Sequence, residues 1–140
     1  MGRILAIDYG KKRTGIAVTD PLQMIANGLE TVLTHELEKF LKEYFQKEKV
    51  DVVVMGYPKQ MNNQPSENVT RINHFLNRFK KVFPDTPVEM VDERFTSQIA
   101  FQAMIDGGVK KEKRKDKGLI DKVSATVILQ SYLEQKSNNF

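Results

Sequence analysis

The sequence contains no cysteine. This absence excludes disulfide bonds, a thiol nucleophile and a zinc site built on cysteine ligands. No apolar run approaches the roughly 18 residues that a membrane-spanning helix needs. The apolar stretch from Arg3 to Ile7 is also too short for the core of a signal peptide. We therefore expect a cytoplasmic protein with no membrane partner.

Internal repeats, low-complexity tracts and linkers rich in proline, glycine or serine are absent as well. The chain has 140 residues, of which 40% are hydrophobic and 29% are charged, as in ordinary globular proteins. A chain of this length can bury most of its apolar surface in one unit. We expect a single domain over residues 1–140.

The positive charge is concentrated in one place. The net charge is +4, and the segment KKEKRKDK at residues 110–117 holds six cations and two anions, whereas the rest of the chain holds 16 of each. A charge run is often only a solvated loop, but such concentration favours contact with a polyanion. The candidate backbone-binding residues are Lys110, Lys111, Lys113, Arg114, Lys115 and Lys117.

The spacing of apolar residues predicts five strands, at residues 3–8, 14–19, 29–33, 52–55 and 88–94. Helices are expected to begin after Thr34, after Ser66 and after Thr96 or Ser97, and a last helix is expected from about Ile120 to Gln135. Three strands joined by short turns favour an antiparallel meander, and the later alternation of helix and strand favours parallel crossovers. The predicted fold class is α/β, a mixed five-stranded sheet with helices on both faces.

Acidic residues occur at the ends of predicted strands. Asp8 ends the first strand, and Asp92 and Glu93 end the fifth. Asp121 lies on the last helix, on the side that also carries Ala125, Ile128, Leu129 and Tyr132, so it is expected to face the sheet. Ligands of open α/β sheets bind beyond the carboxyl ends of the strands. Converging carboxylates would repel each other unless they hold a hard cation such as Mg²⁺ or Mn²⁺. Two such ions can support hydrolysis of a phosphodiester.

Each acid also has a simpler explanation. Asp8 before a turn is ordinary turn chemistry, and Asp121 alone could be a helix N-cap. Their joint placement favours the site. Because successive strand side chains point to opposite faces, at most one of Asp92 and Glu93 should share it. We favour Glu93 and keep Asp92 as the alternative.

Four segments in this order, RILAIDYGKKRTGIAVTD, VVVMGYPKQMNN, VDERFTS and IDKVSATVILQSYL, resemble the bacterial pre-16S ribosomal RNA nucleases, also called Holliday-junction-resolvase-like proteins. The resemblance covers nearly the whole chain. It implies a ribonuclease H-like fold and a metal-dependent nuclease that processes the 5′ end of the small-subunit rRNA precursor. It also implies that Asp8, one acid of the DER motif and Asp121 bind the metal.

The same resemblance implies contacts to nucleic acid around these acids. Gly10 and Gly15 would let a phosphate approach the backbone, next to the cations Lys11, Lys12 and Arg13. The loop after the fourth strand could supply Lys59, Asn62 and Asn63, although Gly, Pro and Asn there also suit a plain turn. Arg94 and Thr96 could hold a phosphate at a helix N-terminus, although an arginine beside two acids is often only a surface ion pair.

One position departs from the junction resolvases, which carry a second aspartate three residues after the first on the last helix. Here that residue is Ser124, which puts resolvase activity in doubt. The alternatives are a junction-cleaving DNA resolvase and a non-catalytic RNA-binding module. A nucleotide phosphotransferase of this fold would need a second domain. The expected partner is structured precursor rRNA or branched DNA, and the chain could act as a monomer or a weak homodimer.

Overall fold

The computed structural model of the protein describes residues 2–57, 67–92, 102–110 and 116–138. The strands are β1 (Arg3–Asp8), β2 (Arg13–Thr19), β3 (Ala26–Leu33), β4 (Val50–Tyr57) and β5 (Val88–Asp92). The long helices are α1 (Leu37–Lys47), α2 (Glu67–Val82) and α3 (Lys117–Asn138), and Thr34–Glu36 form a 3-10 turn before α1. None of the helices within these ranges combines the length and apolar character that a membrane span requires.

The strands form one mixed sheet in the order β3-β2-β1-β4-β5. The first three strands pair antiparallel, and β4 pairs parallel with both β1 and β5. A meander followed by parallel crossovers was the predicted arrangement, and the structure confirms it. The topology places β1 at the centre of the sheet, so its carboxyl end lies in the middle of the edge where β4 and β5 also end.

Helices cover both faces, and the alternation of side chains assigns each strand residue to one of them. One core packs the odd-numbered residues of β1 against α1 and α2, with Leu5, Ile7, Leu37, Leu41, Ile72 and Phe79 buried in it. The other packs the even-numbered residues of β1 against α3, with Ile4, Ala6, Ala17, Val54, Ala125 and Ile128 buried in it. This second face, called the α3 face below, is the one that carries Asp8.

Helix α3 begins three residues earlier than predicted because Asp116 caps it. The Asp116 Oδ1 atom accepts hydrogen bonds from the backbone N–H groups of Gly118 at 2.8 Å and Leu119 at 3.2 Å. The alternative that Asp121 is the N-cap is therefore wrong, since Asp121 lies in the second turn of the helix. Strand β3 likewise begins at Ala26 rather than residue 29.

Thr34 was predicted to cap α1, and this prediction is wrong. The residue preceding α1 is Glu36, and no side chain caps the helix there. The Thr34 hydroxyl instead donates to the carbonyl oxygen of Gly10 at 2.7 Å. The other predicted caps, Ser66 and Thr96 or Ser97, lie outside the described residues.

The segment before α3 is helical at residues 102–106 and ends at Gly107-Gly108, as predicted. Gly108 has φ +78°, a conformation that favours glycine. The backbone N–H groups of Gly108 and Val109 donate to the carbonyls of Ile105 and Met104, the pattern of a Schellman ending.

Candidate active site at the carboxyl end of the first strand

Asp8 is half-buried at the end of β1 and lies on the α3 face, two residues after Ala6. Its partner on β2 is Gly15. On the other side, Ile7 pairs with Met55 of β4, which brings Asp8 level with Gly56. Both of these neighbours are glycines, so no side chain from β2 or β4 fills the space beside the Asp8 carboxylate.

Helix α3 fills part of that space with its own backbone. A β-carbon placed on Gly15 would overlap the main-chain carbonyl of Asp121. Gly15 pairs with Asp8, so the main chain of Asp121 lies against the strand position opposite Asp8. Gly15 thus allows α3 to pack closely against β2. The expectation that Gly15 would admit a phosphate is wrong, because Asp121 occupies its open side.

The Asp121 side chain is 26% exposed and is paired with Arg13, whose Nε lies 3.3 Å from Asp121 Oδ2. Arg13, at the start of β2, is on the same face as Gly15, two residues further along. One turn of helix beyond Asp121, Ala125 is fully buried in the core beneath α3. As predicted, Asp121 lies on the side of the helix that faces the sheet.

Asp92 and Glu93 were the alternatives for a third acid. Val91 packs in the core beneath α3, whereas Val88 packs against the core of α1 and α2. Asp92 follows Val91 and is exposed, so it lies on the face opposite Asp8. Strand alternation therefore favours the other candidate, Glu93, over Asp92. Glu93 lies outside the described residues.

The turn between β1 and β2 is held by threonines. The Thr34 and Thr14 hydroxyls are 2.9 Å apart, and Thr34 N–H donates to the carbonyl of Lys12 at 2.9 Å. A β-carbon on Gly10 would overlap the carbonyl oxygen of Arg13, so the tight turn itself requires glycine. Lys11 and Lys12 are exposed on this turn. The two lysines therefore reach solvent at the end of the sheet that holds Asp8.

Comparison with known proteins identifies the family. A family model described as RuvX, Holliday junction resolvase, matches residues 2–135. The chain belongs to the RuvX family. Relatives from Phocaeicola vulgatus and Flavobacterium johnsoniae are 63% and 60% identical over 136 residues, which is 97% of this chain and 98% and 99% of theirs. Both carry the name "Putative pre-16S rRNA nuclease".

A solved structure of Thermus thermophilus RuvC with a Holliday junction substrate superimposes with a TM-score of 0.57 at 15% identity. The match covers 98% of this chain and 96% of that one. At this identity the likeness shows the fold, which is ribonuclease H-like. The predicted family, fold and nuclease class are thereby confirmed for this RuvX protein.

Most of the other predicted contact residues of this RuvX chain lie outside the described residues. These are Lys59, Asn62, Asn63, Arg94, Thr96, Lys111, Lys113, Arg114 and Lys115. Lys110 is exposed, and Lys117 is the first residue of α3. Within the described ranges, no three acidic, histidine or cysteine residues are grouped closely enough to hold a metal ion. Asp8 and Asp121 are thus the two described acids of the candidate site.

Two residues that hold neighbouring elements in place, Thr14 and Tyr132, were not among the predicted site residues. Thr14 is fully buried in the core of the α1 side, and a polar residue at an inward strand position was the available signal. Tyr132, near the end of α3, donates a hydrogen bond to Glu89 of β5. Burial, with this bond and the Glu89 charge, raises the pKa of Tyr132 to about 12. The phenol therefore stays protonated and helps to hold α3 on the sheet.

A groove opens between the edge of β3 and the first turn of α3. It consists of two adjoining cavities of about 400 Å³ each, which share Thr31, Asp116 and Gly118 in their linings. Arg13 lines the second cavity. We call this the β3–α3 groove. It leaves open space beside the Arg13 side chain.

Proposed function

We propose that this protein is a divalent-metal-dependent nuclease whose active centre is built on Asp8 and Asp121, with precursor 16S rRNA as its substrate. The observation that carries the proposal is the packing of α3 on Gly15. It brings an acid from residue 121 next to the acid that ends the central strand. Two acids at one strand end repel each other, and a cation bound by both would offset that repulsion.

The chemistry of the donors fits Mg²⁺ or Mn²⁺. Asp8 and Asp121 supply carboxylate oxygens, the ligands that hard divalent cations prefer. Glu93 is the acid that we propose as third ligand, because a regular β5 would turn residue 93 toward the α3 face. Such an ion, when bound, would activate a water and stabilise the leaving oxygen.

Ser124 provides a second sign of a polar ligand. Its side chain is 1% exposed, and its Oγ has no hydrogen-bond partner within the described ranges. It lies one turn after Asp121, on the flank of α3 opposite Lys122, whose side chain meets Gly28 of β3. That flank faces β1 and β4. A water held at the metal site would satisfy the hydroxyl.

Replacing Ser124 with alanine should therefore separate stability from metal binding. We expect the variant to be more stable by about 1 kcal/mol in EDTA, since an unpaired buried hydroxyl is removed, and to bind Mn²⁺ more weakly. Urea unfolding and calorimetric Mn²⁺ titration measure the two effects. Ser131→Ala, on the same side of α3 and half-buried, controls for helix propensity. Equal changes in both variants would contradict a role for Ser124 at the site.

Contact with the substrate backbone is proposed for three exposed cations, Lys11, Lys12 and Lys110. Lys11 and Lys12 lie on the turn after Asp8, and Lys110 begins the basic segment. Lysines bind phosphates without sequence preference, so this binding should weaken as salt rises. Lys59, Asn62, Asn63, Arg94 and Thr96, with the rest of the basic segment, are proposed to extend the contact.

The choice of RNA rests on the relatives, whose names specify pre-16S rRNA at about 60% identity over nearly full length. Junction DNA is the second candidate, because the family model is described as a Holliday junction resolvase. Symmetrical cutting of a junction requires two active sites, and hence a dimer. The two substrates therefore make different demands on the assembly.

The test is cleavage of a labelled RNA that spans the 5′ end of the small-subunit rRNA precursor. A four-way DNA junction is assayed in parallel, each with Mn²⁺, Mg²⁺ or EDTA. We expect metal-dependent cutting of the RNA, with the junction left intact. Cutting of the junction alone would make the protein a resolvase. RNA binding that weakens with salt, without cutting under any condition, would make it a binding module.

A further inference from the structure

The ion pair between Arg13 and Asp121 joins residues 108 positions apart in the sequence. Its side chains are 37% and 26% exposed, so the pair sits at the rim of the candidate active centre rather than in the core. A guanidinium carries a permanent positive charge in proteins. In the described state, this guanidinium neutralises one of the two acids proposed as metal ligands.

A divalent cation and this guanidinium would compete for the Asp121 carboxylate. Both are positive. If both bound the same carboxylate they would lie close together and repel each other. Binding of the cation should therefore weaken the contact between Arg13 and Asp121. Conversely, the contact should lower the affinity of the metal-free protein for the cation.

The β3–α3 groove offers space for the Arg13 side chain once it leaves Asp121. Arg13 lines the β3–α3 groove, and it follows directly after Lys11 and Lys12, which are exposed on the same turn. A planar guanidinium binds a phosphate group through two parallel hydrogen bonds, the arrangement that arginine favours over lysine. A phosphate of a bound strand would replace the carboxylate that Arg13 loses.

We propose that Arg13 is a positioning residue that holds Asp121 while the metal is absent and moves to a substrate phosphate when the metal binds. This proposal rests on the proposed function. Metal and substrate binding would then be cooperative. The metal displaces Arg13 from Asp121 and frees it for a phosphate, and a phosphate bound to Arg13 leaves Asp121 free for the metal. A purely structural Arg13 would only tie the start of α3 to β2.

The two roles predict opposite changes in metal affinity. We expect Arg13→Gln to bind Mn²⁺ about two- to fivefold more tightly than the wild type, the range that a partly exposed ion pair accounts for. The measurement is calorimetric titration without RNA. In cleavage assays, the same variant should need more RNA for half-maximal rate, so that KM rises while the Mn²⁺ requirement falls.

Matched variants keep the test specific. Arg78→Gln removes another ion-paired arginine, bound to Glu38 at 2.7 Å and remote from the α3 face, and should leave Mn²⁺ affinity unchanged. Arg13→Lys keeps the charge and should bind Mn²⁺ no more tightly than the wild type. Weaker or unchanged Mn²⁺ binding in Arg13→Gln, with a lower Tm, would overturn the proposal and leave a structural role.

Failure of this proposal and failure of the proposed function give different results. If the wild type binds Mn²⁺ and Asp8→Asn does not, the metal site stands whatever Arg13→Gln shows. If wild type and Asp8→Asn give the same titration, the metal site itself is wrong, and the role of Arg13 falls with it.

Discussion

Asp8→Asn should cut RNA on the order of 10³-fold more slowly than the wild type or worse, while its fold remains intact. Asparagine keeps the shape of the side chain and removes the charge that a divalent cation requires. Asparagine fits the same space at the end of β1, so we expect the Tm in EDTA to stay close to that of the wild type. Single-turnover cleavage and thermal unfolding measure the two quantities.

Asp121→Asn should lose cleavage to a similar extent but differ in stability. It also loses its pair with Arg13, which at this exposure stabilises the fold by at most about 1 kcal/mol. The Tm should thus fall by a few degrees. Asp85→Asn, an exposed charge in the turn after α2, is the control for charge removal. Wild-type cleavage in either Asp8→Asn or Asp121→Asn would show that the acid concerned is not part of the active centre.

The same assay decides the third acid. We propose Glu93, since Asp92 lies on the face opposite Asp8. Glu93→Gln should be inactive, and Asp92→Asn should retain cleavage. The reverse result would mean that the chain departs from regular strand geometry at the end of β5.

The sheet and the orientation of Asp121 could be predicted because they follow from local periodicity. The four residues that share its side of α3 already identify that side as apolar, whatever the rest of the chain does. Asp8 at the end of a continuous apolar strand is equally local. These features depend on spacing over a few residues, which a single sequence displays directly.

Contacts between distant segments could not be predicted in this way. The pairing of Arg13 with Asp121 depends on the position of α3 along the sheet. That position is set by Gly15 and Gly28, the glycines on which α3 packs. Thr34 looked like a helix cap because its local sequence suits one, yet the carbonyl of Gly10 competes successfully for its hydroxyl. In both cases tertiary packing overrides a local preference.

A single methyl group added at Gly15 should strongly destabilise the fold. Its β-carbon would overlap main-chain atoms of Asp121, and a helix backbone cannot move aside as a side chain can. We expect Gly15→Ala to lower the free energy of unfolding by about 2–3 kcal/mol, with a Tm roughly 10 °C lower. Mn²⁺ binding should weaken too, because α3 carries Asp121 away from Asp8 as it shifts.

Gly28→Ala is the matched control, since Gly28 also faces α3 from a strand. There the new β-carbon would lie 2.8 Å from Lys122 Cγ, the stem of a flexible side chain that can rotate away. Alanine is also preferred to glycine in a strand, so the net change should stay within about 1 kcal/mol. Neither glycine has positive φ, and the comparison therefore isolates what each methyl group meets. If urea unfolding shows equal stability for the two variants, the backbone of α3 does not rest on Gly15. The proximity of Asp8 and Asp121 would then lose its main support.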